Sequence, residues 1–180
     1  MTERNDSILV VVDVQERMMP VIDRSDAVTD AVLRLVRGFR ALDLPILVTE
    51  QYSKGLGHTV PSVREALAEW YRPIEKITFS AAGELHFMQQ LEGAARNHAI
   101  ICGVETHVCV FQTARDLAMM GWEVEVVADA VGSRAPGNRE VALDRLSRRG
   151  VELTSVEMVL FDLMQRADIA EFKAVSAIVK

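Results

Sequence analysis

Residues 98–121, HAIICGVETHVCVFQTARDLAMMG, leave this chain few folds to choose from. An apolar run at 99–102 turns at Gly103, and beyond it Val108, Phe111, Ala114, Leu117 and Ala118 recur at helical spacing. Gly121 is a natural stop just past that helix. A buried strand that passes through a tight turn straight into an amphipathic helix belongs in a parallel sheet. With Thr106 as N-cap, Cys109 falls about one turn inside the helix. There the unsatisfied N–H groups and the positive end of the helix dipole favour a thiolate. The crossing from strand to helix is also where an open α/β sheet binds its ligands.

The remaining chain repeats the alternation. ILVVVD (8–13) is a continuous apolar run ending in an acid, ILVTE (46–50), EVEVVADA (123–130) and VELTS (151–155) read as further strands, and IEKITFS (74–80) is a short extended piece. Helices are predicted between them. The first is capped by Ser25 or Asp26 and runs to about Leu42, with Ala31, Leu35, Val36 and Phe39 as its stripe. A short one opens at Pro61 and reaches Trp70, another covers 83–96, and Asn138 caps one that Gly150 ends. Residues 155–164 form the next, and Asp168 starts a last helix carrying Ile169, Phe172, Val175 and Ile178. This pattern predicts an α/β fold: a three-layer α/β/α, doubly wound, mostly parallel sheet of about five to six strands. With no linker, repeat or low-complexity segment, one domain over 1–180 is expected.

Composition narrows the function classes. No apolar run approaches the ~18 residues of a membrane span, and the polar, acidic start MTERNDS predicts neither a signal nor a transit peptide. A net charge of -6 without a basic cluster argues against nucleic acid as the main partner. The two cysteines, Cys102 in a buried strand and Cys109 at the next helix start, predict no structural disulfide; free thiols suit a reducing, cytoplasmic setting. Cys102 is read as core.

Asp13, Glu50, Glu105 and Asp129 all fall at or just past expected strand ends, on the edge where Cys109 would sit. Asp13 is either a group at that site or the cap of a following turn, its carboxylate accepting an Asx-type hydrogen bond. Cys109 is either a nucleophile or inert packing, since free cysteine is among the most buried residue types. For Lys76, between Ile74 and Phe79, the pattern alone favours a solvated lysine whose stem covers apolar surface. His107 and Cys109 form H-x-C with no second pair, and His58, His86 and His98 are scattered, so no metal site is expected. The phosphate-binding loops GxGxxG and GxxxxGK[ST] are absent, as is a G-x-S-x-G elbow.

Three motifs, VVDVQ (11–15), EKITFSA (75–81) and GVETHVC (103–109), in that order and spacing, resemble the isochorismatase-like cysteine hydrolase family over essentially the whole chain. TEQYSKGLG (49–57) and VADAVGSR (127–134) resemble its isochorismatase-domain-containing subgroup. The resemblance implies an Asp–Lys–Cys triad of Asp13, Lys76 and Cys109, and a non-proline cis peptide before Glu105. It further implies an oxyanion hole made by the backbone N–H groups of Glu105 and Cys109. Under it, Lys76 is a positioned cation that helps hold the thiolate, and Asp13 shuttles the proton. Gln15, Tyr52 and Phe79 are candidate pocket residues, with core or loop packing as the alternative for each.

Nicotinamidase-type members carry a D-x-H metal motif after the second strand, where this chain has Glu50, Gln51 and Tyr52. No metal and no cofactor are therefore expected, and nicotinamide is disfavoured as substrate. The implied function is cleavage of a C–N bond in a small amide-like molecule through a thioester. The alternatives are a thiol redox protein acting through Cys109 and a catalytically idle binding scaffold. A homo-oligomer is expected from the family, and the apolar stretch 156–163 is either its interface or core.

Overall fold

A computed structural model describes residues 3–180 of the chain. Six strands, β1 (Ser7–Val12), β2 (Ile46–Gln51), β3 (Ile74–Lys76), β4 (His98–Val104), β5 (Glu123–Gly132) and β6 (Glu152–Thr154), form one sheet in the order β3-β2-β1-β4-β5-β6. Every pairing is parallel. The chain starts in the middle, winds outward to β3, then returns to lay β4 beside β1. The crevice between β1 and β4 is therefore the topological switch point, where the flanking connections leave to opposite faces.

Helices cover both faces in chain order: α1 (Ser25–Ala41), the short α2 (Ser53–Leu56), α3 (Pro61–Leu67), α4 (Leu85–Gly93), α5 (Phe111–Met119), α6 (Pro136–Ser147), α7 (Val156–Met164) and α8 (Phe172–Val179). Side chains alternate across a strand, and two cores result. Leu9, Val11, Ile46, Val48, Ile100 and Cys102 meet α1, α3, α7 and α8 on one face. Ile8, Val10, Val12, Ala99, Ile101 and Val126 meet α4, α5 and α6 on the other, together with Cys109. Most of the apolar positions at 156–163 are core: Val156, Val159, Leu160 and Leu163 are buried in the first cluster.

Several boundaries differ from the sequence expectation. α1 starts at Ser25 itself, preceded by Arg24 in a left-handed conformation with no side-chain cap. Pro136, not Asn138, opens α6, because its fixed φ and missing N–H suit the first helical position. β4 runs through Gly103 to Val104 rather than turning there. Gly103 has φ +114°, and a Cβ on it would stand 2.0 Å from the Val12 carbonyl oxygen. Only glycine lets β1 and β4 close to that distance.

At the same point β5 slips: Ile101 pairs with Val126 but Gly103 pairs with Val131, so β5 carries an irregular insert. Asp129 lies in that insert and not at a strand end, and its Oδ1 accepts from Val156 N (3.0 Å) at the start of α7. It is a helix-anchoring group, removed from the role its position in the sequence suggested.

Candidate active site

Asp13 follows directly on β1, and its backbone turns left-handed (φ +52°) after six buried residues. Its carboxylate is buried and divided. Oδ1 accepts a hydrogen bond from the Thr49 hydroxyl at 2.7 Å, and Oδ2 lies 2.7 Å from Lys76 Nζ. Asp13 and Lys76 thus form a buried ion pair.

Lys76 is 1% exposed, which overturns the solvated lysine that the local pattern favours. The reason is period two: in β3, Ile74 and Lys76 face inward while Glu75 faces out. A buried ammonium must have its donors satisfied. Here Nζ donates to Gln51 Oε1 (2.7 Å) and to the carbonyls of Phe79 (3.2 Å) and Thr78 (3.3 Å).

Cys109 is 3% exposed, and its thiol contacts both Asp13 and Lys76. Burial, reinforced by the Asp13 carboxylate, pushes this thiol up to about 12, with Lys76 opposing. Burial and the carboxylate therefore work against the thiolate that the helix start by itself would favour. A helix end and a cation favour a thiolate when their charge is unspent, whereas Lys76 is already paired with Asp13. Cys102 sits in the core on the opposite face of the sheet, so it is not placed to meet Cys109.

Cys109 is carried by a π-helical turn, Thr106–Val110, that opens into α5. Glu105, not Thr106, is the N-cap: its carbonyl accepts from Val108 N (3.0 Å) and Val110 N (3.2 Å). The Thr106 hydroxyl is buried without a hydrogen-bond partner among the described residues. The peptide Val104–Glu105 is cis, as the resemblance implied. The Glu105 carboxylate accepts from Arg134 N (2.9 Å) and Arg134 Nε (3.1 and 3.2 Å), which ties the cysteine turn to the loop after β5.

The three candidate pocket residues separate. Gln15 is buried, donates to the carbonyls of Gln51 (3.0 Å) and Gly57 (2.7 Å) and accepts from Gln51 N (2.7 Å). It fastens the loops after β1 and β2 and has no group left to offer. Tyr52 and Phe79 are 51% and 54% exposed, on the loops that follow β2 and β3.

Glu50 occupies the expected metal-motif segment, yet its carboxylate is spent. Oε1 accepts from Thr59 N (2.7 Å), Thr59 Oγ1 (2.8 Å) and the Tyr71 hydroxyl (2.8 Å), and Oε2 faces His58 Nδ1 at 2.9 Å. Burial works against ionisation here, but these hydrogen bonds prevail and hold the carboxyl below its usual range. Among the described residues, no group of three His, Cys, Asp or Glu side chains is placed to hold a metal ion.

Thr49 and Gln51 were missed by sequence reasoning. Both lie on β2, one residue apart from each other in the alternation, and only the strand order puts them between Asp13 and Lys76. The Arg134–Glu105 link was also missed, because the two are far apart in sequence and joined by the β4–β5 pairing.

The protein is thus a parallel α/β sheet that gathers a buried acid, a cation and a thiol at the C-terminal ends of its strands. Residues 7–158 match the model of the Isochorismatase domain. The chain is 38% identical over 175 residues to mouse Isochorismatase domain-containing protein 2A, covering 97% of this chain and 82% of that protein. The MAR1 ribonuclease structure from Caenorhabditis elegans superimposes with TM-score 0.92 at 37% identity, covering 98% of this chain and 91% of that one. The Escherichia coli YcaC gene product, described as an octameric hydrolase of unknown specificity, gives TM-score 0.91 at 26% identity over 98% and 89% of the two chains. The chain belongs to the isochorismatase family, a hydrolase fold.

Proposed function

We propose that this protein is a metal-independent cysteine hydrolase that cleaves the C–N bond of a small amide-like substrate. The carrying observation is the buried cluster of Asp13, Lys76 and Cys109, in which Asp13 Oδ2 lies 2.7 Å from the Lys76 ammonium and the thiol interacts with both.

The thiol starts neutral, so deprotonation and attack belong to one event. As sulfur bonds to the carbonyl carbon, the thiol proton passes to Asp13 Oδ2 and the carbonyl π electrons move to oxygen. The N–H groups of Glu105 and Cys109 are assigned to that oxyanion; one such donor is worth about 2.7–4 kcal/mol in a comparable hydrolase. Collapse breaks the C–N bond, and the nitrogen leaves with the proton from Asp13. Water then attacks the thioester carbon, giving one proton to Asp13, and the departing sulfur takes that proton back. The products are a carboxylic acid and an amine, with Cys109, Asp13 and Lys76 restored. Lys76 stays an ammonium throughout and fixes the carboxylate. The interacting groups titrate together, so pH–rate limbs belong to the cluster.

The residues engaging Glu50 favour the metal-independent form of the chemistry, because no carboxylate oxygen is left over in that segment. Two free, buried thiols support residence in the cytoplasm, and the octameric neighbour supports a homo-oligomer built from single domains of 1–180. No helix among the described residues is long and apolar enough to cross a membrane. The redox alternative lacks a resolving thiol near Cys109, since Cys102 is on the other face.

The test is a screen of small primary amides and ureides by ammonia release, with intact-mass detection of an acyl-enzyme. Turnover by the wild type, lost in Cys109→Ala, is the expected result. Full activity of Cys109→Ala on a confirmed substrate overturns the mechanism, and cleavage of added RNA in place of amides would transfer the assignment to the activity named for the Caenorhabditis elegans neighbour.

A further inference from the structure

β2 lies between the strand that delivers Asp13 and the strand that carries Lys76. Thr49 is the register partner of Val12, the residue before Asp13, and Gln51 is the register partner of Lys76. Being two apart on one strand, Thr49 and Gln51 share a face. Each reaches one member of the ion pair, Thr49 Oγ1 to Asp13 Oδ1 and Gln51 Oε1 to Lys76 Nζ, both at 2.7 Å.

The two halves of the pair are not equally constrained. Lys76 Nζ is held by Gln51 and by two main-chain carbonyls as well as by Asp13. Asp13 Oδ1 accepts from the Thr49 hydroxyl, whereas Oδ2 faces the Lys76 ammonium and the Cys109 thiol. A carboxylate turns freely about its Cβ–Cγ bond because that torsion is broad and roughly two-fold. The two oxygens are equivalent, so what a donor on one of them fixes, together with the ammonium on the other, is the plane of the carboxylate and hence the direction in which Oδ2 faces the thiol.

We propose that Thr49 is a positioning residue for the hydrolytic triad: its hydroxyl pins Asp13 Oδ1 and thereby reserves Oδ2 as the oxygen that exchanges a proton with Cys109. This inference rests on the triad reading of the site. The hydroxyl must donate, since a carboxylate only accepts, so Thr49 sets the rotation of the carboxylate and takes no part in bond making.

The experiment is the pH dependence of Cys109 alkylation by iodoacetamide, read by peptide mass spectrometry, in wild type, Thr49→Val, Thr49→Ser, Thr49→Ala and Asp13→Asn. A thiol deprotonated by a neighbouring carboxylate reacts at a rate that is flat across neutral pH, then climbs where hydroxide takes over. Thr49→Val keeps the side-chain volume and removes the donor. It is expected to lower the flat segment at least tenfold while leaving the alkaline limb in place, and Thr49→Ser is expected to restore it. A site that had merely loosened would instead shift both limbs together.

Thr49→Ala carries the same test if the valine variant does not fold. A flat segment unchanged in Thr49→Val or Thr49→Ala, or both limbs moving together, overturns the inference. Asp13→Asn separates the two levels. If it converts the flat segment into a plain thiolate slope while the Thr49 variants follow wild type, the triad reading stands and the role of Thr49 falls. If Asp13→Asn also follows wild type, both fall.

Discussion

The ionisation of Cys109 decides how the site works, and it can be measured directly. The thiol rises from an ordinary 9.0 to about 12 through burial first and the Asp13 carboxylate second, with Lys76 pulling the other way. At 1.36 kcal/mol per pH unit, that is about 4 kcal/mol against the thiolate. At pH 7.5 only a trace of the thiol would be ionised, against roughly three in a hundred at the ordinary value. Replacing Asp13 by Asn removes one of the two raising influences and keeps the opposing ammonium, so the midpoint should fall. Replacing Lys76 by Met removes the opposing charge and should raise it further. Thiolate absorbance and alkylation rate, followed from pH 6 to beyond pH 11 on folded protein, give both midpoints. The expected wild-type midpoint lies above 10, and Asp13→Asn moves it down. A wild-type midpoint below 8 would refute this reasoning, because it would mean that the proton rests on Asp13 and that the ion pair is rearranged before substrate arrives.

Three further predictions follow from the same contacts. Lys76→Ala leaves the Asp13 carboxylate buried without its cation, and breaking such a pair costs about 3–5 kcal/mol, readable as a lower urea midpoint with an unchanged slope. Gly103→Ala forces a Cβ to within 2.0 Å of the Val12 carbonyl oxygen at φ +114°, so loss of soluble folded protein, or a destabilisation of several kcal/mol, is expected by the same assay. Stability should also fall in alkali: Cys109 and Tyr71 are both raised to about 12, so each holds its proton in the folded chain after the unfolded chain has lost it. Their contribution is full below about pH 9 and is lost as pH climbs to about 12, and Cys109→Ala should flatten that decline; an unchanged decline would show that the thiol is not held neutral.

How much of this was legible beforehand varies with the kind of interaction. Unbroken apolar runs such as 8–12 and 99–102 are buried on both faces, so hydrophobicity alone marks them as parallel strands. The amphipathic stripe of α1 was equally plain, with Val32, Leu35, Val36 and Phe39 fully buried. Lys76 defeated local reasoning because a three-residue strand is too short to show its period, and the lysine lost its solvent only when β2 and the cysteine turn closed over it. Asp129 misled for the opposite reason: an acid late in an apolar run looked like a strand end, while the slip of β5 against β4 carried the strand on to Gly132.

The ordered motifs around Asp13, Lys76 and Cys109 belong to the sequence, as does the alternation that makes the sheet parallel. Residue type and spacing suffice for these, since periodicity, backbone freedom and reactive groups are properties of short segments. The ionisation state of the thiol, the spending of Glu50 on Thr59, His58 and Tyr71, and the placing of Thr49 and Gln51 across an ion pair belong to the tertiary structure. Each depends on which groups from distant segments share a space without water, and there the strength of a charge or a hydrogen bond is fixed by its neighbours and not by its own chemistry.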